Sequence, residues 1–243
     1  MLDCANKVDQ NKPLYGMFAA IPQRYDLINH VITWGLDKRW RWQAARECLA
    51  ARPKNVLDLG CGTGDLAINI ARLAENEVEL TGIDYSQPML ERAAQKVGLL
   101  AKWKKISFTC GDAADLPFPD GYFGCVGISF AFRNLTYKNP LAQRYLAEVL
   151  RVLSPNGRFV IVETSQPKIK IIRKLFHLYL RWFAYRVGYL LSGNRGAYHY
   201  LAESATRFYT AAELEELLVT AGFSKVSYRP FLFGAVSIYV AVK

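Results

Sequence analysis

The stretch Gly60-Cys61-Gly62-Thr63-Gly64-Asp65 follows the apolar run Val56-Leu57-Asp58-Leu59 and precedes a helical pattern, DLAINIARLA. Glycines in such a place let the backbone approach a ligand closely, and the N-terminus of the next helix favours polar or anionic groups. The spacing is GxGxG, one position tighter than the GxGxxG of dinucleotide sites, and no lysine follows it, which excludes a phosphate-binding P-loop. Asp84 closes the next strand-like run, ELTGID. A carboxylate there can accept both hydroxyls of a ribose, as dinucleotide enzymes also arrange, so Asp84 alone does not name the ligand. Asp112-Ala113 ends a third such run, and Arg133-Asn134 follows a fourth.

The elements that must position these residues are legible in the pattern. Strand-like VLDL, ELTGID, ISFTCG, YFGCVGISF and RFVIVET alternate with helical DLAINIARLA, QPMLERAAQKVG and LAQRYLAEVLRVL. Alternation of this kind predicts right-handed βαβ units and an α/β, Rossmann-like, doubly wound sheet, mostly parallel, with ligands bound outside the carboxyl ends of its strands. From Thr210 a helix, AAELEELLVTAGF, leads into KVSYRPF and AVSIYVAV. Their short link allows an antiparallel hairpin and no parallel crossover, so a seven-stranded sheet with an antiparallel C-terminal strand is expected. We divide the chain into a flexible leader, 1–16, and one domain, 17–243. Within it lie an N-terminal helical lid (17–52), a cofactor-binding core (53–165), a basic amphipathic helical insertion before the last two strands (166–209), and the C-terminal helix and strands (210–243). Arg52-Pro53 ends the second lid helix.

Composition sets the bounds. At 243 residues, 51% apolar and 21% charged, the chain is globular and long enough for a substantial core. No two cysteines form a CxxC pair, which argues against a zinc site, so no metal is expected. The start, MLDCANKVDQNK, lacks the apolar core of a signal peptide. The net charge of +10 is unevenly spread: seven basic residues and no acid lie between Ser165 and Ala202. There KIKIIRKLFHLYLRWFAYRVGYLL reads as a long helix. Lys170, Lys174, His177 and Arg181 form one stripe; Ile171, Leu175, Leu178 and Trp182 form the next, extended by Tyr185 and Tyr189. Its basic residues argue against a membrane span. A cationic, aromatic amphipathic helix fits a membrane surface, and equally a lid helix with a solvated basic face. No nucleic-acid module accompanies the charge, so no nucleic-acid partner is expected.

The GxGxG loop resembles motif I of the S-adenosylmethionine-dependent methyltransferases, where it packs against the methionine part of the cofactor. Asp112-Ala113 resembles their adenine site, with Asp84 as ribose acceptor. Four further segments resemble the ubiquinone and menaquinone biosynthesis C-methyltransferases. Tyr25, Asp26, Asn29 and Trp40 fill places in the family's N-terminal signature; Ser129-Phe130-Ala131-Phe132-Arg133-Asn134 is similar to its serine-phenylalanine-glycine-x-arginine-asparagine block. RVLSPNGRFVIVETSQP resembles the second signature, with Glu163 in place, and SGNRGAYHYLAES a late block. Departures are Ala131 for the usual glycine, Thr33 for a serine, and Ser154 and Asn156 for a lysine and a glycine. The resemblance runs from Met17 to the end and implies S-adenosyl-L-methionine as cofactor, held by Gly60, Gly62, Thr63, Gly64, Asp84, Asp112, Ala113 and Ser129.

It also implies the substrate, a polyprenyl hydroquinol such as demethylmenaquinol or its ubiquinol-pathway counterpart, methylated on a ring carbon. Such a carbon is strongly nucleophilic only when the neighbouring hydroxyl is ionised. With a phenol pKa of about 10, roughly one molecule in a thousand is ionised at pH 7, a deficit near 4 kcal/mol. A cation or donor beside the oxygen recovers part of that. Arg133 is expected to stabilise the oxyanion, Asn134 to orient a hydroxyl, and Tyr25 to hydrogen-bond the ring or relay a proton. A salt bridge to a nearby acid is the structural alternative for Arg133. Since arginine stays protonated, the base is left to water, His30 or His199. The expected location is the cytoplasm, peripheral at the inner face of the cell membrane through residues 168–191, with a homodimer left open. Two other readings share these features: the same fold methylating a phospholipid amine or a sterol, and a non-catalytic cofactor-binding component of a membrane complex.

Overall fold

The computed structural model describes residues 22–74, 78–99 and 106–243. The expected leader, 1–16, and the first residues of the expected lid lie outside the described residues. Helices α1 (Pro22–Ile32) and α2 (Leu36–Leu49) come first. They are joined by a tight turn in which Trp34 and Gly35 both have positive φ. The core follows as β1 (Asn55–Leu59), α3 (Asp65–Leu73), β2 (Glu79–Asp84), α4 (Gln87–Gly98), β3 (Ile106–Cys110), β4 (Phe123–Ser129), α5 (Phe132–Thr136), α6 (Ala142–Val152) and β5 (Leu153–Thr164). Then come α7 (Lys170–Leu178), a π-helical turn (Tyr179–Ala184), α8 (Tyr185–Ser192), α9 (Arg195–Thr206), α10 (Ala211–Thr220), β6 (Lys225–Phe231) and β7 (Val236–Val242).

The sheet runs β3-β2-β1-β4-β5-β7-β6. Strands β1 to β5 pair in parallel, and β7 alone is reversed, pairing antiparallel with β5 and β6. This is the expected sheet with its hairpin. Its chain order reverses between β1 and β4, so a crevice opens where loops leave those strands in opposite directions. Buried runs such as Val56-Leu57 and Val160-Ile161-Val162 suit strands covered on both faces. The Ser154-Pro155-Asn156-Gly157 stretch lies inside β5 as an irregularity: Phe123 pairs with Leu153, but Cys125 pairs with Arg158. Asn156, at φ 60°, makes the bend, a conformation asparagine tolerates better than most residues.

Two apolar cores flank the sheet. One packs α6 and α10 beneath it through Phe132, Leu146, Phe159 and Leu214. The other packs α2 and α3 through Trp40, Ala44, Cys48, Leu66 and Ile70. Helix α2 thus lies on the sheet. Helix α1 does not: Ile28 and Ile32 join Leu180, Ala184, Ala197, Tyr198 and Ala205 of the insertion in a third, separate core. Gly188 makes that core possible, because a Cβ there would sit 2.0 Å from the Tyr198 ring. The expected single long helix over 168–191 is nearly continuous, widened at the π-helical turn.

Candidate active site

The glycine loop leaves β1 and turns into α3. Gly64, the residue ahead of that helix, has φ 79°, and Gly62 has φ 52° with nothing within 4 Å of where a Cβ would stand. A side chain at Gly62 would be strained and would project into open space beside the loop. A cavity lies there, and Gly60, Gly62, Thr63, Asp84, Ala113 and Ser129 all line it. Asp84 Oδ2 accepts from Gly62 N at 2.9 Å and Oδ1 from Ser86 N at 2.8 Å, which fixes the carboxylate and leaves it lone pairs for hydroxyls. Asp112 stands beside the cavity, Oδ1 accepting from Ala114 N at 3.0 Å, while Gly111 and Ala113 form the wall. Gly64 is not in the lining; it shapes the turn.

Asp58, on β1, also lines this cavity and was not singled out in the sequence. It is 1% exposed; Oδ2 accepts from Ala67 N at 2.9 Å, and Oδ1 has no partner among the described residues. Burial pushes its carboxyl up to about 8. An orphan carboxyl oxygen, a fixed ribose-type acceptor and a side-chain-free cradle together match the ammonium, ribose and backbone contacts that S-adenosyl-L-methionine requires; an ammonium beside Asp58 would favour its ionised form.

A second cavity, about 470 Å³ and lined almost wholly by carbon, abuts the first. Tyr25, Arg41, Phe130 and Asn134 line both, so they stand at the junction. Phe130 carries a positive φ of 55°, costly for a phenylalanine, and is held by Trp40 at 6.1 Å between ring centroids and by the Arg41 guanidinium 5.2 Å over its ring. Arg133 lines the apolar cavity beside them. The acid expected as its structural alternative is real: Arg133 Nη1 lies 2.9 Å from Oε1 of Glu163, which is fully buried. Nη1 also donates to Thr164 Oγ1 and Nε to Ser204 Oγ, at 2.9 and 3.0 Å. Nη2 makes no hydrogen bond to the described residues and is not sealed from solvent-sized space. The guanidinium is therefore anchored on one side with one donor edge free. Asn134 Oδ1 is buried with no partner among the described residues, an acceptor waiting at the junction. Burial holds the Tyr25 phenol above its ordinary value, against the opposing pull of Arg41, so it stays a neutral donor at pH 7.

Helices α1 and α2 are tied down by charge. Asp26, one residue past Tyr25, accepts from Thr63 Oγ1 at 2.6 Å and from Lys96 Nζ at 2.8 Å; Lys96 also pairs with Asp65. On α2, Asp37 accepts from His30 Nδ1, Thr33 Oγ1 and Arg41 Nη1. Burial opposes its ionisation, but Arg41, His30 and Thr33 outweigh that and hold its carboxyl below the usual range. His30 is thereby committed to Asp37 and lines neither cavity; His199 is exposed against Tyr185 and also lies outside both. No motif marks Asp37 or Arg41 in the sequence. The signal was an i, i+4 acid–base pair on the same face as Trp40, Ala44 and Cys48, where a surface helix carries no charge.

Around the mouth of the apolar cavity the surface stays hydrophobic. Helix α7 and the turn after it pack inward through Phe176 and Leu180, and expose Ile171, Leu175, Leu178 and Trp182, each more than half accessible. Trp34 (74%) and the Leu232-Phe233 turn (48% and 77%), all at positive φ, add to the same rim through the cavity-lining Trp34, Leu175 and Leu232. Among the described residues no helix is long and apolar enough to cross a membrane.

The profile of the ubiE/COQ5 methyltransferase family matches residues 5–243. The demethylmenaquinone methyltransferase of Deinococcus radiodurans is 41% identical over 98% of this chain and 95% of its own length. The ubiquinone/menaquinone biosynthesis C-methyltransferase UbiE of Geobacter sulfurreducens is 33% identical over 97% of this chain and 90% of its own. Among solved structures, an Aquifex aeolicus SAM-dependent methyltransferase superposes with TM-score 0.55 at 19% identity, over 78% of this chain and 81% of that one, a likeness of fold.

Proposed function

Because the chain belongs to the ubiE/COQ5 methyltransferase family, we propose that it methylates a ring carbon of a polyprenyl hydroquinol of the demethylmenaquinol type, using S-adenosyl-L-methionine. The observation that carries this reading is the pair of abutting cavities: a polar one built on the glycine loop, and an apolar one whose polar end is Arg133, Asn134 and Tyr25. An aromatic ring with hydroxyls at one end and a hydrocarbon tail at the other matches the second cavity in size and polarity. Phospholipid amines and sterols find no support among the named relatives.

When bound, the cofactor supplies an electrophilic methyl group on a sulfonium. The chain does the rest. Arg133, held by Glu163, Thr164 and Ser204, turns its free Nη2 toward the hydroxyl that must ionise and offsets part of the roughly 4 kcal/mol deficit of a phenolate at pH 7. Asn134 Oδ1 accepts from a hydroxyl and fixes the ring plane. Tyr25, a neutral donor, hydrogen-bonds the ring oxygen from the lid. The apolar walls keep water out, which favours dispersal of the sulfonium charge. The ring carbon gains its bond to the methyl group as the methyl–sulfur bond breaks; the attacked carbon then gives up its proton and the ring oxygen takes one back, so one proton in all is released.

The tail emerges at the hydrophobic rim. What supports a peripheral contact with the inner face of the cell membrane through residues 168–191 is the exposed row Ile171, Leu175, Leu178 and Trp182 beside the cations of the same segment. Residues 17–52 and 166–209 serve in this reading as lid and insertion over the core. The test is acceptor profiling with methyl-labelled cofactor, the acceptors presented in anionic liposomes. Label is expected on demethylmenaquinol; label on a phospholipid headgroup and none on a quinol would overturn the assignment.

A further inference from the structure

Three acids, Asp58, Asp65 and Asp84, line the cofactor cavity; among the described residues Arg41 is its one cationic side chain. Arg41 is 6% exposed. Its Nε donates to Ser129 Oγ at 3.1 Å, its Nη1 pairs with Asp37, and the same nitrogen stands 3.8 Å from Asp65. Nη2 makes no hydrogen bond to the described residues, and the side chain lines both cavities. The charge of this buried guanidinium is met by Asp37, but its Nη2 edge still has donors to spend beside a cavity otherwise lined by acids, and an oxygen anion is the acceptor that uses both its charge and its geometry.

Position says which anion. Across the sheet edge the cavity runs from Ala113 after β3, past Asp84 after β2, to the glycine loop after β1 and Ser129 at the end of β4. Arg41 touches only the last part, Ser129 and the start of α3. With ribose hydroxyls at Asp84, that end receives the amino-acid portion of the cofactor, whose one anionic group is its α-carboxylate. We infer that Arg41 binds this carboxylate through Nη2, with Asp37 and Ser129 as the brace that aims it, so that α2 as well as the glycine loop recognises the cofactor.

The inference rests on S-adenosyl-L-methionine being the cofactor, and binding calorimetry separates the two. S-adenosyl-L-methionine, S-adenosyl-L-homocysteine and decarboxylated S-adenosylmethionine, which keeps the amine and sulfonium, are titrated into the intact protein. The parent protein is expected to prefer the carboxylate-bearing ligands by about 10- to 100-fold, the worth of a charge-assisted hydrogen bond. In Arg41→Met that preference falls to one or below, because the acids remain and favour the more cationic ligand. Asp37→Asn/Arg41→Met removes the buried acid as well, so that the same ratio can be read from a protein with no unpaired Asp37. A parent protein binding all three equally, or a ratio unchanged in the variants despite weaker binding overall, overturns the role of Arg41. Failure of the parent to bind any of them would instead remove the cofactor assignment.

Discussion

Arg133 invites a separation of stability from catalysis, because one partner of its ion pair is fully buried. Arg133→Met leaves Glu163 without its guanidinium, although the backbone N–H groups of Arg133 and Thr164 and the Thr164 hydroxyl still donate to it. Breaking a buried pair from one side costs about 3–5 kcal/mol, and the surviving donors put this case near 3. For a domain of this size that is a drop in Tm of roughly 6–12 °C. Glu163→Gln added to Arg133→Met removes the stranded charge, keeps an acceptor for those donors, and should restore most of the lost Tm. Turnover should not return. If Nη2 stabilises the acceptor oxyanion, its loss costs about 10²–10³ in kcat in both variants. The assays are thermal melts beside methyl transfer to demethylmenaquinol at saturating cofactor. A double variant that regains Tm and kcat together would show that Arg133 acts only as a strut, and the reasoning would fail.

Two other perturbations probe the site. Tyr25→Phe keeps the ring and deletes the donor; it should lower kcat by about tenfold or more, whereas His30→Ala should cost about 1 kcal/mol of stability through Asp37 and change kcat by less than about threefold, and the reverse order in an activity assay would refute the placement of Tyr25. In the unfolded chain Asp58 ionises near 3.8, while burial in the fold pushes it up to about 8. Between those values the folded state holds the extra proton, so this residue lowers stability progressively as pH rises from about 4 to about 8. Asp58→Asn should therefore lose less Tm than the parent between pH 5 and pH 8.5 in melts without cofactor; parallel losses would mean that Asp58 is ionised throughout.

What could be read from the sequence followed local rules. Alternating strands and helices gave the parallel sheet, and the short link after Phe231 forced the reversed β7. Gly60 to Gly64 announced their loop because few residues other than glycine accept those dihedrals. The site residues that escaped did so because their role depends on distant contacts. Arg41 meets Ser129 across 88 positions, and nothing near it in sequence marks that encounter. His30, a conspicuous residue, is paired with Asp37 only because the turn at Trp34-Gly35 folds α2 back beside α1. The stripe Ile171, Leu175, Leu178 and Trp182 was legible as a face, but periodicity does not say that the helix buries its neighbouring face instead.

The contacts of Asp26 have a kinetic consequence. By accepting from Thr63 inside the glycine loop and from Lys96 on α4, it ties α1 to the edge of the polar cavity that Tyr25 also lines. On the proposed reading of α1 as part of a lid, spent cofactor waits for that contact to part. Each catalytic cycle would then include an opening whose rate is set by a cluster of two acids, a lysine and a hydroxyl at the edge of the glycine-loop cavity. Residence time of the demethylated cofactor, rather than the speed of methyl transfer, becomes the quantity that ionic strength tunes, since charge pairs near the surface weaken as salt screens them.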